Sequence, residues 1–247
     1  MAIEFRSADW DSYKMDYRDP HRPLESPQRE VEIVDEALAA LVGIGALPSK
    51  RYDLGKFLAH REAVADSFEI PWTAITPRMQ RLLYALNAIH RPQNMLAAGI
   101  FCGMTFISNA GAAIGPGACY EARALVGIEI KPEEAKRAAA NVRKLDLPGK
   151  AAIVAADAVK FCAQFGEAIH LLYLDADGDG GRGKGIYLDI LEGCYDLLAP
   201  GALVLAHNSV NAQQRLQHYL AFARAGRHFR TSANMIIDGE GLEVSVR

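Results

Sequence analysis

The chain predicts a doubly wound α/β fold with a mostly parallel sheet, and three observations carry that expectation. From about residue 90 onward, short apolar runs alternate with amphipathic stretches, the rhythm of βαβ units. Before residue 90 the periodicity is helical only. The tail, Phe229 to Arg247, holds two extended runs around Asp238-Gly239-Glu240-Gly241, which reads as an antiparallel hairpin.

Taken in order, the first 25 residues are polar and broken by Pro20 and Pro23, so a loop or strap is expected there. Ser26 is placed to cap a helix with Pro27 at its first turn, and Val31, Val34, Leu38, Leu41 and Val42 recur on one face. Leu54, Phe57, Leu58, Val64 and Phe68 mark a second helix. Thr76-Pro77 opens a third, aligning Met79, Leu82, Leu83, Leu86 and Ile89. Strands are expected near 94–99, 124–129, 150–155, 170–175 and 201–206, with helices near 104–114, 132–145, 158–165, 186–197 and 210–225. Two units follow: a helical extension or lid over 1–74, also a candidate homodimer contact, and the α/β domain over 75–247.

Composition narrows the partners. The 247 residues are 50% hydrophobic, and 27 basic residues face 30 acidic ones without a run of either sign, which argues against a nucleic-acid backbone as partner. Cys102, Cys119, Cys162 and Cys194 form no C-x-x-C pair, and reduced buried thiols fit a cytoplasmic chain. Neither a secretory leader nor an apolar stretch of membrane-spanning length is read, so a small-molecule partner is expected rather than a membrane.

In such a sheet ligands sit beyond the carboxyl ends of the strands, and the chemistry-bearing residues fall there. The first strand runs into Gly99-Ile100-Phe101-Cys102-Gly103, where glycines permit close approach of backbone to ligand. Glu129 ends the second strand, placed to accept hydrogen bonds from both hydroxyls of a ribose. Asp157-Ala158 follows the third, where the aspartate meets an adenine edge or simply caps the next helix. In this order they describe a nucleoside site. The first turn lacks the G-x-G-x-x-G of a dinucleotide site, which argues against NAD. Gly178 to Gly185 imitates a phosphate loop but has Gly185 where a magnesium-binding Ser or Thr belongs, and reads as a lid.

Over residues 70 to 247 the sequence resembles the class I S-adenosylmethionine-dependent methyltransferases, in particular the catechol and caffeoyl-CoA O-methyltransferase group. The resemblance is carried by Ile75-Thr76-Pro77 with Gln80 and Leu82-Leu83, by Gly99 and Gly103, Glu129, Asp157-Ala158, Leu174-Asp175-Ala176-Asp177 and Pro200-Gly201-Ala202-Leu203-Val204. It implies a Rossmann-like, seven-stranded sheet, S-adenosylmethionine as cofactor, and Gly99, Phe101, Gly103, Glu129, Asp157, Ala158 and Asp175 around it. It also implies a divalent metal on Asp175, His207 and Asn208, the same three residues being the catalytic candidates.

Three departures stand out. His207 replaces an aspartate of the metal set, which weakens the site for a hard ion. Gly178 stands where the family has a lysine, and Ala97 replaces an acid of the first strand. Methyl transfer to a small-molecule oxygen or nitrogen with His207 as general base is the leading expectation. The alternatives are chemistry at the aminocarboxypropyl group, either azetidine-2-carboxylate formation or group transfer with release of methylthioadenosine, and a non-catalytic cofactor binder.

Overall fold

The computed structural model describes residues 3–247. Three N-terminal helices come first: α1 (Pro27–Gly43), α2 (Leu54–Ser67) and α3 (Pro77–His90). Their starts are those the sequence marks. Ser26 accepts from the Arg29 amide at 3.2 Å and Thr76 from the Met79 amide at 3.2 Å, each with proline in the first turn, and Asp53 caps α2 on the Lys56 amide at 2.9 Å.

The α/β part follows as β2 (Asn94–Ala98), α4 (Met104–Ala110), β3 (Ala124–Glu129), α5 (Pro132–Arg143), β4 (Ala151–Ala155), α6 (Ala158–Ala163), β5 (Ile169–Leu174), α7 (Ile186–Cys194), β6 (Leu198–His207) and α8 (Gln217–Arg224). The hairpin of β7 (Thr231–Ile236) and β8 (Leu242–Val246) closes the chain. The expected last helix is shorter than 210–225, because the chain after His207 first turns through Asn208, held at φ 65°, before α8 begins.

One strand escaped the reading of the first 25 residues as a loop. Ile3–Arg6 forms β1, parallel to β7, so the segment before residue 90 is not all helical and the sheet has eight strands rather than seven. The reason is physical: β7 would otherwise be an edge with unpaired amides and carbonyls, and a four-residue, charge-bearing segment is enough to cover it.

The strand order is β1-β7-β8-β6-β5-β2-β3-β4, with β8 antiparallel to both its neighbours and every other pair parallel. The winding reverses between β2 and β5, the place where doubly wound sheets open a crevice. Alternation along each strand feeds two cores. Met95 and Ala97 of β2 face a cluster with Leu38, Leu82 and Ile107, whereas Leu96 and Ala98 face Ile190, Leu191 and Leu220 on the other side. The first cluster also contains Ile33 and Phe57, so α1 and α2 pack into the same core as the sheet.

Buried ion pairs anchor the N-terminal segment. The fully buried Arg78 of α3 reaches Asp9 at 2.9 Å and Glu25 at 2.6 Å, which keeps the Asp9 carboxyl at about 2, and Arg81 with Arg61 holds the buried Glu30.

Candidate functional site

At the switch point the strand ends pinch together. Gly99, following β2, has φ 79°, and a Cβ there would stand 2.4 Å from the Ala176 backbone beyond β5. Gly99 is therefore demanded by the crossing of two chains, not only by a ligand, and Gly103, at φ 94°, similarly meets Ala138 of α5. Gly103 does not line the cavity that opens above these ends; the other expected residues do.

That cavity measures about 410 Å³, within the range of small-molecule sites. Glu129, 8% exposed, ends β3 on its floor. Its Oε2 accepts from the Phe101 amide at 2.9 Å and its Oε1 from the Lys131 amide at 3.0 Å, so each oxygen keeps lone-pair capacity for a ligand. Phe101 sits at φ 46°, and its ring lies 4.7 Å from that of Trp72, centroid to centroid. Asp157 caps α6 through Oδ1 on the Val159 amide at 2.9 Å while also lining the cavity, so the capping role does not take it out of the wall. Ala158 borders it.

Across the switch point lies a charged cluster. Asp175, just past β5, receives Lys184 Nζ at 2.8 Å on Oδ1, and its Oδ2 lies 3.5 Å from Nδ1 of His207, the last residue of β6. Burial alone would raise the Asp175 pKa, but the Lys184 and His207 charges lower it. Burial would likewise lower His207, and the facing Asp175 carboxylate turns the balance upward. His207 is 1% exposed and stacks on Tyr173 at 6.5 Å; neither of its ring nitrogens has a hydrogen-bond partner among the described residues, Nδ1 only facing the Asp175 carboxylate. Asn208 points Nδ2 at Glu240 at 2.9 Å and leaves a buried Oδ1 unpartnered among the described residues.

Glu240, from the β7–β8 turn, was read from sequence only as part of a hairpin. It lines the cavity and accepts from Tyr17 at 2.6 Å and from Asn208 and Asn211. Its neighbour Asp238 bolts the turn to the start of α3, accepting from Thr76 Oγ1 at 2.5 Å and from the Glu240 and Gly241 amides. Two aromatics of the N-terminal part, Tyr17 and Trp72, line the cavity, whereas Tyr13 and Phe68 are buried and are no part of its lining. Ala97 is wholly buried in the core and is no part of the wall.

The three expected metal ligands gather in one place, yet their chemistry suits a hard divalent ion poorly. Lys184 already holds Asp175, and an imidazole stands for a carboxylate. Lys184 reaches Asp175 through a loop whose glycines Gly180, Gly181 and Gly183 take positive φ and bring the chain back on itself.

Parallel strands wound from a central switch point, a carboxylate at the end of the second strand of the α/β part beside the cleft and a terminal antiparallel hairpin form the fold of the class I S-adenosylmethionine-dependent methyltransferases. The family model described as a methyltransferase domain matches residues 96–209. Among solved structures it is similar to an O-methyltransferase from Bacillus cereus in complex with SAH, at 17% identity and TM-score 0.56 over 96% of this chain and 97% of that one. The O-methyltransferase TomG from Streptomyces achromogenes, in complex with SAM and involved in tomaymycin synthesis, matches at 19% and 0.55 over 90% of this chain and 99% of that one. Cofactor-bound Rv0187 from MTB matches at 18% and 0.58 over 78% and 90%. At these identities the likeness is one of fold. No curated protein matches the sequence. Among the described residues no helix is long and apolar enough to cross a membrane.

Proposed function

We propose that this protein transfers a methyl group from S-adenosylmethionine to a hydroxyl of a small-molecule acceptor, with His207 as general base. The observation that carries the reading is one cavity lined by Glu129 and Asp157, at successive strand ends, and by His207. Glu129 would hold the ribose hydroxyls on its free lone pairs, and Asp157 the adenine edge through Oδ2. The Trp72 and Phe101 rings offer π-faces at the same end of the cleft. When bound, the cofactor supplies an already activated methyl electrophile.

What the chain must add is alignment, exclusion of water and a proton acceptor. Asp175 faces Nδ1 of His207 and so favours the tautomer with the proton on that nitrogen, leaving Nε2 to take the acceptor's proton. As the imidazole becomes imidazolium, the same carboxylate stabilises it. The O-methyltransferases among the similar structures support oxygen over nitrogen as acceptor atom. The core position of Ala97 removes the motive for expecting a freed aminocarboxypropyl end.

The test is calorimetric titration with S-adenosylmethionine, followed by mass spectrometry of the nucleoside released with a panel of hydroxylated acceptors. S-adenosylhomocysteine is expected. Methylthioadenosine, or no binding at all, would overturn the proposal.

A further inference from the structure

An ammonium group has three N–H donors. Lys184 donates to Asp175 Oδ1 at 2.8 Å and to the Asp175 carbonyl at 2.9 Å, and it pairs with the exposed Asp177 Oδ2 at 3.1 Å. Its side chain is 13% exposed and that of Asp175 15%, so the pair is shielded from the solvent that weakens surface ion pairs.

Three oxygens of two residues thus lie within 3.1 Å of a single point that holds a positive charge. That is the environment an oxygen-seeking divalent ion would exploit, and here it is filled by a charge tethered to the chain. The tether also fixes Asp175: with Oδ1 taken by the ammonium, Oδ2 is the oxygen turned to His207 Nδ1.

We propose that Lys184 is the resident cation of this site, occupying at Asp175 and Asp177 the place of a divalent ion and orienting Asp175 toward His207, so that turnover needs no bound metal. It is a positioning residue, and only the turnover clause rests on the methyl-transfer reading. The cation question is answered on the protein alone.

The experiment titrates manganese chloride calorimetrically, without nucleoside, into the wild type, Lys184→Ala and Lys184→Ala/Asp177→Asn. The wild type should show no saturable uptake. Lys184→Ala should take up manganese at least about tenfold more tightly than the wild type, and the added Asp177→Asn should remove that gain. Wild-type uptake equal to that of Lys184→Ala overturns the proposal, as does a folded Lys184→Ala that binds no manganese. Lys184→Met, which keeps most of the stem packing, replaces the alanine variant if circular dichroism shows that one unfolded, and the wild-type arm needs no variant. A second arm assays wild-type turnover after chelation: an unchanged rate is expected, and a loss restored by manganese refutes metal independence. Absence of methyl transfer under every condition sinks the proposed activity instead and leaves the titration to judge Lys184.

Discussion

Replacing Glu129 by alanine should cost the protein most of its affinity for S-adenosylmethionine while leaving it folded. The carboxylate offers about four lone-pair sites, of which the Phe101 and Lys131 amides use two. Two remain for the ribose. A hydrogen bond to a charged group contributes about 1.5–3 kcal/mol, and the loss of two with partial compensation by water should weaken binding by about 3 kcal/mol, roughly a hundredfold in Kd. The same change leaves two amides without their acceptor, so Tm should also fall, and the titration belongs well below the new midpoint. Glu129→Gln, which keeps the volume and one acceptor oxygen, should fall between the two. Calorimetry with S-adenosylmethionine on all three proteins is the assay. A Kd for Glu129→Ala within about twofold of the wild type would refute the idea that this strand end holds a ribose.

His207→Ala should lower kcat by about a hundredfold or more with little change in cofactor Kd, as read by single-turnover kinetics; full turnover would remove His207 from proton transfer. Because the His207 pKa is raised above the ordinary 6.5, the imidazole is protonated and unable to accept below that value, so kcat should climb with pH through an acid limb above 6.5. Asp175→Asn removes the raising charge and should bring the limb down; an unmoved limb would assign it to another group. Gly99→Ala combines positive φ with a Cβ 2.4 Å from backbone, so a loss of about 3 kcal/mol in chemical denaturation is expected, and a stability equal to wild type would mean the strand ends can part freely. Glu30→Ala strands the buried Arg81 and should cost about 3–5 kcal/mol in the same assay, with cofactor affinity below that midpoint unchanged.

The helices and central strands were legible because their signals are local. Ser26-Pro27 and Thr76-Pro77 act within one turn, and β2, buried along its whole length, is apolar from Met95 to Ala98. The strand-end positions of Glu129, Asp157, Asp175 and His207 followed from that register. What stayed hidden depends on contacts distant in sequence. Ile3–Arg6 looks like any short polar segment until β7 offers it an edge. Glu240 looks like a turn residue until the hairpin folds back beside Tyr17, 223 positions earlier. Lys184 was visible as a charge on a glycine loop, but its pairing with Asp175 depends on how the loop doubles back. The glycines at 99 and 103 were legible as special yet misattributed in part, because one sequence does not tell a close ligand from a close neighbouring chain.

The bond from Asp238 to Thr76 has a bearing on traffic. By joining the hairpin tip to the first turn of α3, it makes the far wall of the cleft continuous with the interior, and a wall of that kind does not swing. The rim away from the hairpin is the one left free to admit molecules, and there Trp72 and Ile130, both lining the cavity, stand 47% and 55% exposed. An arriving molecule meets those two oily side chains at that edge.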